Sequence, residues 1–296
     1  MSLSVGEAFA ALKRNLEIKP EDEAVAIRRR GDIHERLKKD IDLLSEPLLT
    51  GSFHRDTKTH PLKDVDFFCP IRRSEENTKA YLDAAPTVVL DAFVESLRKR
   101  YGDRVSIGRR SVGVDFGSED TRILSYDIVP AFERDGGGYD IPDKQLGRWI
   151  GSDPSVHRKK ATAANKACDG KWKPLVKMIK RANGQIAEQT GRKAIKPSFL
   201  IEVMGLDLLA PPLGDWPEEL QGAFATLAAY VDDPWPDPSG LGPDVNEMDT
   251  LQRTHAREQL RLAQEIAQDA RHLARTSDRQ AILKWRELFG SYMPLN

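Results

Sequence analysis

Only two of the 296 residues are cysteine, Cys69 and Cys168. Two cysteines cannot build a disulfide framework or a CxxC zinc site. Nowhere does the chain run for about 18 consecutive apolar residues, the length a membrane-crossing helix needs. Charge of one sign is lacking too. Lys and Arg number 45 against 46 Asp and Glu, a formal net charge of −1. No global basic excess points to bulk nucleic-acid binding. The opening residues, MSLSVGEAFAALKRNLEIKPEDEA, bring charge in too early for a secretory leader, so the expected location is the cytoplasm. What remains is 40% hydrophobic and 31% charged, the mix of a folded globular protein. The length allows one large domain or two intimate ones.

The balance of charge is not local. Ser155 to Lys196 holds twelve Lys and Arg against two acids. Leu206 to Thr250 holds ten acids and no Lys or Arg. Two solvated faces that neutralise one another would explain this. So would a basic wall for a polyanion such as a phosphate chain.

Apolar residues recur at helical spacing in the first fifty residues: Val5, Ala8, Phe9, Leu12 and Leu16, then Val25, Ile33, Leu37, Ile41 and Leu44. Lys19-Pro20 interrupts them, and the second helix is expected to end near Glu46-Pro47. Asp64 to Ile71 then alternates as a strand. Thr78 to Tyr101 reads as one helix stopped by Gly102. Short β-like runs follow at Val105–Ile107, Val112–Phe116 and Ile123–Val129. Gly136-Gly137-Gly138 and Ile141-Pro142-Asp143 read as turns. From Ser155 the pattern is helical again. Gly184 is the expected end of one helix, Pro197 to Leu209 forms another and Arg253 to Arg275 a third, with an irregular Pro/Gly/Asp loop at Asp232 to Asp244. The fold class expected is α+β, a small and mostly antiparallel sheet half followed by a helical half.

The chemistry concentrates in Gly51-Ser52-Phe53-His54-Arg55-Asp56-Thr57 and Asp64-Val65-Asp66. On a strand, residues i and i+2 share a face, so Asp64 and Asp66 present two carboxylates side by side. Such a pair repels unless a cation lies between its members. Oxygen ligands of this kind suit Mg²⁺, which also accepts substrate phosphates as ligands. Gly51-Ser52 supplies a tight turn, a backbone N–H and a hydroxyl, all suited to a phosphate. Asp127 lies in the otherwise apolar run LSYDIVP, where an acid is costly unless it faces a site. Three acids on neighbouring strands would make a two-metal site. Taken singly, D-x-D is most often a solvated strand face and G-S carries almost no information.

In this order, GS, a spacer, D-h-D and a later h-D-h-V-P resemble the DNA polymerase β-like nucleotidyltransferase superfamily. SYDIVPAF, GGGYDIPD, the W-I-x-S-D-P-x-x-H of Trp149 to His157, LVKMIKRAN and KPSFLIEVM resemble the bacterial cGAS/DncV-like nucleotidyltransferases (CD-NTases). The resemblance runs from about Leu48 to Met204. It implies a polymerase β-like nucleotidyltransferase sheet lobe packed on a helical lobe and braced by a long N-terminal helix. The division expected is residues 1–150 for the brace and catalytic lobe and 151–296 for the helical lobe.

By resemblance, Asp64, Asp66 and Asp127 are the catalytic acids and the ligands of two Mg²⁺ ions, with Mn²⁺ as an alternative. Gly51 and Ser52 contact the triphosphate. Lys180 reaches the phosphates from its helix, and Ser198 meets them at a helix start. Asn165 falls where some relatives set an asparagine against a uracil base. Plain alternatives stand beside these: a solvated helix charge for Lys180, a cap hydroxyl for Ser198, a polar helix or loop residue for Asn165. His157 and Arg158 read as turn caps, and Tyr139 as loop packing. His54 and His60 are not expected to bind metal, since the family site is all oxygen.

The function implied is synthesis of a cyclic di- or trinucleotide second messenger from NTPs in anti-phage, CBASS-type signalling. The product would act on a downstream effector. No duplex DNA sensing is expected, since no Cys/His cluster could form the zinc thumb of the animal enzyme. The expected state is a monomer, and conjugation through the C-terminus is left open. Two rivals are a nucleotidyltransferase that modifies an RNA end or a protein, and a catalytically silent nucleotide-sensing adaptor.

Overall fold

The structure, a computed structural model, describes residues 3–44, 46–117 and 125–296. Helices α1 (Val5–Leu16) and α2 (Pro20–Leu37) come first. Strand β1 (Leu48–Leu49), the single-turn helix α3 (Gly51–His54) and strand β2 (Asp64–Pro70) follow. A short helix α4 (Glu75–Asn77) and a π-type turn (Thr78–Leu82) precede α5 (Pro86–Tyr101). Next come β3 (Val105–Ile107), β4 (Val112–Asp115), β5 (Ser125–Glu133), β6 (Tyr139–Asp143) and β7 (Arg148–Ser152). The remainder is helical: α6 (Pro154–Ala167), α7 (Trp172–Thr190), α8 (Phe199–Leu208), α9 (Trp216–Tyr230), α10 (Thr250–Leu273) and α11 (Asp278–Phe289).

These elements form two compact units. The sheet unit comprises Ile18–Arg158 with Ser239–Pro243. The helical unit comprises Met1–Glu17, Lys159–Pro238 and Asp244–Asn296. The division thus falls inside α6 rather than after residue 150, and the first 17 residues go with the helical unit.

In the sheet unit the strand order is β1-β2-β5-β4-β3, with β6 joined to β5 and β7 to β6. The β2–β5 pair is parallel; the other pairs are antiparallel. Strand alternation sorts the side chains. Val65, Phe67, Tyr126 and Ile128 point to the face covered by Ile33 and Leu37 of α2 and Leu90, Phe93 and Leu97 of α5. Phe68, Val129 and Ala131 point to the other face and cluster with Ile141 and Ile150. Helix α2 opens with Pro20 and three acids, Glu21, Asp22 and Glu23, and carries His34 and Arg36 in its last turn. That charge order complements the helix dipole.

The helical unit is built on buried aromatics. A capping box, in which Ser4 and Glu7 bond each other's backbone N–H, starts α1. Helix α1 then buries Ala8, Phe9, Leu12 and Leu16. Phe9 meets Trp285 edge-on at 5.1 Å, and Trp285 stacks on Phe289 at 6.1 Å. Each such side chain contributes about 1.5–3 kcal/mol by burial. Helix α10 begins with a second capping box, Asp249 and Gln252, and buries Ala256, Ala263, Ala267 and Ala270. These small side chains let α9 and α11 pack closely on it.

The α+β class is as the sequence indicates, and several local expectations are corrected. The N-terminal stretch is helical and breaks at Lys19, but α2 stops at Leu37 rather than near Glu46. Thr78 to Tyr101 is not one helix, because Pro86 restarts the chain as the first residue of α5. Ile141-Pro142-Asp143 lies in β6, where Pro142 pairs in register with Trp149. Helix α7 runs through Gly184 to Thr190 and ends at Gly191, which is left-handed (φ 82°). An interior glycine costs a helix about 1 kcal/mol, which packing on one face outweighs. The run expected at Ile123–Val129 is described from Ser125 onward and continues to Glu133; Ile123 lies outside the described residues. Helices α9 and α11 were not singled out by periodicity. Among the described residues, no helix is long and apolar enough to cross a membrane.

Candidate active site

Strand β1 pairs with β2 and delivers the chain to Thr50, whose N–H donates to the Asp66 carbonyl at 3.0 Å. Gly51 follows with a positive φ of 62°. A Cβ on Gly51 would lie 1.9 Å from Asp66 Oδ2 and 2.6 Å from its Cγ. Only glycine therefore lets the Gly51-Ser52 turn press against this carboxylate. On β2, Asp64 and Asp66 share the face carrying Phe68. On β5, Asp127 shares the face carrying Val129 and Ala131. Asp66 and Asp127 are register partners across the parallel pair. The fold thus gathers Gly51, Ser52, Asp64, Asp66 and Asp127 at one end of one sheet face.

The charges at this end act on one another. Burial raises the Asp66 carboxyl from 3.8 to about 6; Lys58 draws it down, Asp64 and Asp127 push it up, and Arg55 draws it down. Burial likewise raises Asp127, against the pull of a hydrogen bond that Ser111 Oγ donates to its Oδ1 at 3.0 Å. Lys58 Nζ lies 2.7 Å from Asp64 Oδ2. Among the described residues, no three acidic, histidine or cysteine side chains close tightly enough to cage an ion as they stand. The donor set nevertheless fits one. Its atoms are carboxylate oxygens, they destabilise one another, and a cationic ammonium already sits against them.

Three further candidates lie in the helical unit. Lys180, on α7, forms an ion pair at 2.5 Å with the buried Glu202 of α8. Ser198 precedes α8 and makes no side-chain capping bond; its Oγ accepts from Lys193 Nζ at 3.2 Å. Asn165 Oδ1 accepts the Lys173 N–H at 3.0 Å and so ties the end of α6 to the start of α7. Next to Lys180, Asn183 donates to the Ile195 carbonyl and accepts its N–H, both at 2.9 Å. This clamp fixes the segment that leads into Ser198. The basic stretch is partly spent inside the unit, since Lys177 pairs with Glu17 at 2.6 Å and Arg181 with Glu188 at 2.9 Å. In the turn at 153, Asp153 accepts the Ser155 and Val156 N–H groups.

Sequence reasoning missed Lys58, Arg55 and Ser111. Arg55 and Lys58 lie in the same GS-to-DxD stretch as the motif, but nothing in residue type or spacing says which loop cation turns inward. Ser111 immediately precedes β4, beside a strand already recognised, and no periodicity marks it.

A family model described as the Second Messenger Oligonucleotide or Dinucleotide Synthetase domain (SMODS) matches residues 1–165. The chain is 25% identical over 265 residues to the cyclic AMP-AMP-AMP synthase of Acinetobacter sp. (strain ATCC 27244 / 9458), covering 83% of this chain and 72% of that one. It is 27% identical over 277 residues to a probable cyclic nucleotide synthase of Bacillus cereus (strain VD146), covering 82% and 81%. In fold it is similar to the solved structure of E. coli MS115-1 CdnC with ATP, with a TM-score of 0.74 at 18% identity over 98% of this chain and 99% of that one.

Proposed function

The chain belongs to the second messenger oligonucleotide or dinucleotide synthetase family of nucleotidyltransferases, and from that premise we propose that it joins NTPs into a cyclic di- or trinucleotide for anti-phage, CBASS-type signalling. The product acts on a downstream cyclic-nucleotide-activated effector. The names of the Acinetobacter and Bacillus relatives support a cyclic product. The observation that carries the residue assignment is the parallel register that sets Asp66 beside Asp127, with Gly51 against Asp66.

Asp64, Asp66 and Asp127 would hold two Mg²⁺ ions, with Mn²⁺ as an alternative. Bound there, the metal supplies charge neutralisation on the donor triphosphate and lowers the pKa of the acceptor hydroxyl. Gly51 lets the backbone approach a phosphate, and the Ser52 hydroxyl donates to it. Asp127 orients an acceptor ribose hydroxyl and takes its proton. Ser111 fixes the other oxygen of that carboxylate. The ribose oxygen forms a bond to the α-phosphorus, the bond between that phosphorus and the α–β bridging oxygen breaks, and pyrophosphate leaves. A second transfer of the same kind closes the ring. In the helical unit we assign Lys180 and Ser198 to nucleotide phosphates and Asn165 to a base. Positioning and charge neutralisation carry the catalysis.

The test is incubation of the purified chain with all four NTPs and Mg²⁺, then phosphatase treatment and mass spectrometry. A phosphatase-resistant species at a cyclic di- or trinucleotide mass is expected, and it identifies the bases. The Asp64→Ala, Asp66→Ala double variant is expected to fold and make none. Synthesis by that variant would overturn the assignment of the acids.

A further inference from the structure

The loop between α3 and β2 carries a cation that the proposed mechanism leaves without a task. Lys58 Nζ stands 2.7 Å from Asp64 Oδ2, with 14% of the lysine side chain exposed. The preceding residue is tied to the other half of the motif. The Thr57 N–H donates to the Ser52 carbonyl at 2.9 Å, and Thr57 Oγ1 donates to the same oxygen at 3.4 Å. Lys58 is therefore anchored at Ser52 and reaches across to Asp64.

An ion pair with a half-exposed carboxylate adds little to stability, so stability alone does not account for an ammonium held in this position. Its effect on binding is larger. A divalent cation that takes Asp64 as a ligand competes with Lys58 for the same oxygen. Once displaced, the ammonium stays on its short tether beside Ser52. Phosphate oxygens that arrive with the metal are its natural next acceptors. We propose that Lys58 is a triphosphate-positioning residue with two stations: Asp64 when nucleotide is absent, the donor's phosphate oxygens when it is bound. This inference rests on the reading above that Asp64 and Asp66 hold a divalent cation.

The two stations give one substitution effects of opposite sign. Lys58→Met removes the competitor at Asp64, so the full chain without nucleotide binds Mn²⁺ about tenfold more tightly, as expected for loss of one charge beside a partly exposed site. The same variant loses a phosphate contact, so KM for the consumed NTP rises about tenfold while kcat changes far less. Lys58→Arg keeps both behaviours near those of the unaltered chain. Lys58→Gln, which remains polar, repeats the Lys58→Met result if that variant folds poorly. Mn²⁺ binding is read by paramagnetic resonance of the free ion, and the kinetics by pyrophosphate release. A packing role for Lys58 would lower thermal stability without tightening Mn²⁺ binding. The Asp64→Asn, Asp66→Asn double variant separates the two levels. If it abolishes Mn²⁺ binding and Lys58→Met leaves Mn²⁺ affinity or KM unchanged, the Lys58 assignment fails and the acid site stands. If the unaltered chain shows no Mn²⁺ binding that this pair removes, both fall together.

Discussion

Asp66→Asn will stabilise the metal-free chain while it abolishes nucleotide joining. The Asp66 carboxyl is raised from 3.8 to about 6, by burial first, with Asp64 and Asp127 adding to it and Lys58 and Arg55 opposing. An acid whose folded pKa lies above its unfolded one penalises the folded state wherever the unfolded chain is ionised. The penalty is absent below the unfolded value, grows as pH rises from there, and is complete above about 6. At about 1.4 kcal/mol per unit, a shift of roughly two units corresponds to at most ~3 kcal/mol, and solvent access reduces this to about 1–3 kcal/mol. Asparagine has nearly the same shape and no charge, so it escapes the penalty. At about 2–4 °C per kcal/mol for domains of this size, the variant gains about 2–12 °C in Tm near pH 8. The measurement is thermal melting in a chelator from about pH 8 to about pH 4. The gap closes as pH falls, because the unaltered Asp66 becomes protonated. Mg²⁺ reverses the ranking by stabilising only the unaltered chain. A variant that melts no higher at pH 8, or a gap that does not vary with pH, would refute the electrostatic account of this site.

Gly51→Ala places a Cβ 1.9 Å from Asp66 Oδ2 at a φ of 62°, so the carboxylate must move. Pyrophosphate release is expected to fall about 100-fold, with a stability loss of only about 1–2 kcal/mol from the backbone conformation; activity within threefold would contradict the close approach. Asp143 is fully buried and takes hydrogen bonds from Arg109 Nε at 2.9 Å, Arg110 Nε at 2.7 Å and the Leu146 N–H at 3.0 Å. Burial raises its carboxyl, but the bonds from Arg109, Leu146 and Arg110 outweigh that and bring it down to about 2. Its stabilising contribution is full above the ordinary carboxylate value and is lost as pH falls toward about 2. Asp143→Asn therefore loses about 2–3 kcal/mol at neutral pH and little near pH 2, which urea melts at both pH values will show or exclude. Asn183→Ala strips both hydrogen bonds from the buried Ile195 backbone and is expected to cost about 2–4 kcal/mol. A loss under 1 kcal/mol in chemical denaturation would mean that the segment before Ser198 is not held by this clamp.

The parts of the fold that could be read in advance are those with a period. Phe9, Leu12 and Leu16 mark the buried side of α1, and Asp64 and Asp66 share a strand face, because helical and extended chains repeat at fixed intervals. What escaped is set by backbone angle or by distant partners. Gly184 looks able to end α7, but the helix runs on to Gly191, whose left-handed angle ends it. Pro142 looks like a turn and instead lies in β6, paired with Trp149 of β7. The basic stretch looks like a solvated face or a phosphate wall, whereas Lys177 is held by Glu17, far off in sequence, and Lys180 by Glu202 of the next helix.

Asp66 and Asp143 show what separates a site from a scaffold. Each is an acid in a strand with apolar neighbours, and the physical objection to each is the same: a carboxylate in such surroundings is costly. The fold answers the objection for Asp143. Arg109, Arg110 and two backbone N–H groups converge on it, and its carboxyl falls to about 2. For Asp66 the fold makes matters worse. It adds Asp64 beside it, Asp127 opposite it in register, and a glycine turn that seals one side. Under the function proposed above, the compensation for such a cluster comes from the metal that these acids would hold. Residue type alone does not distinguish the two cases, because the difference lies in which neighbours the sheet register and the loops bring. Lys58 sits between these extremes, a cation on Asp64 that, with Arg55, compensates the cluster in part. An acid cluster compensated in part stays folded without metal and still gains from taking one up. That is the condition under which Lys58 can give way to an incoming metal and triphosphate.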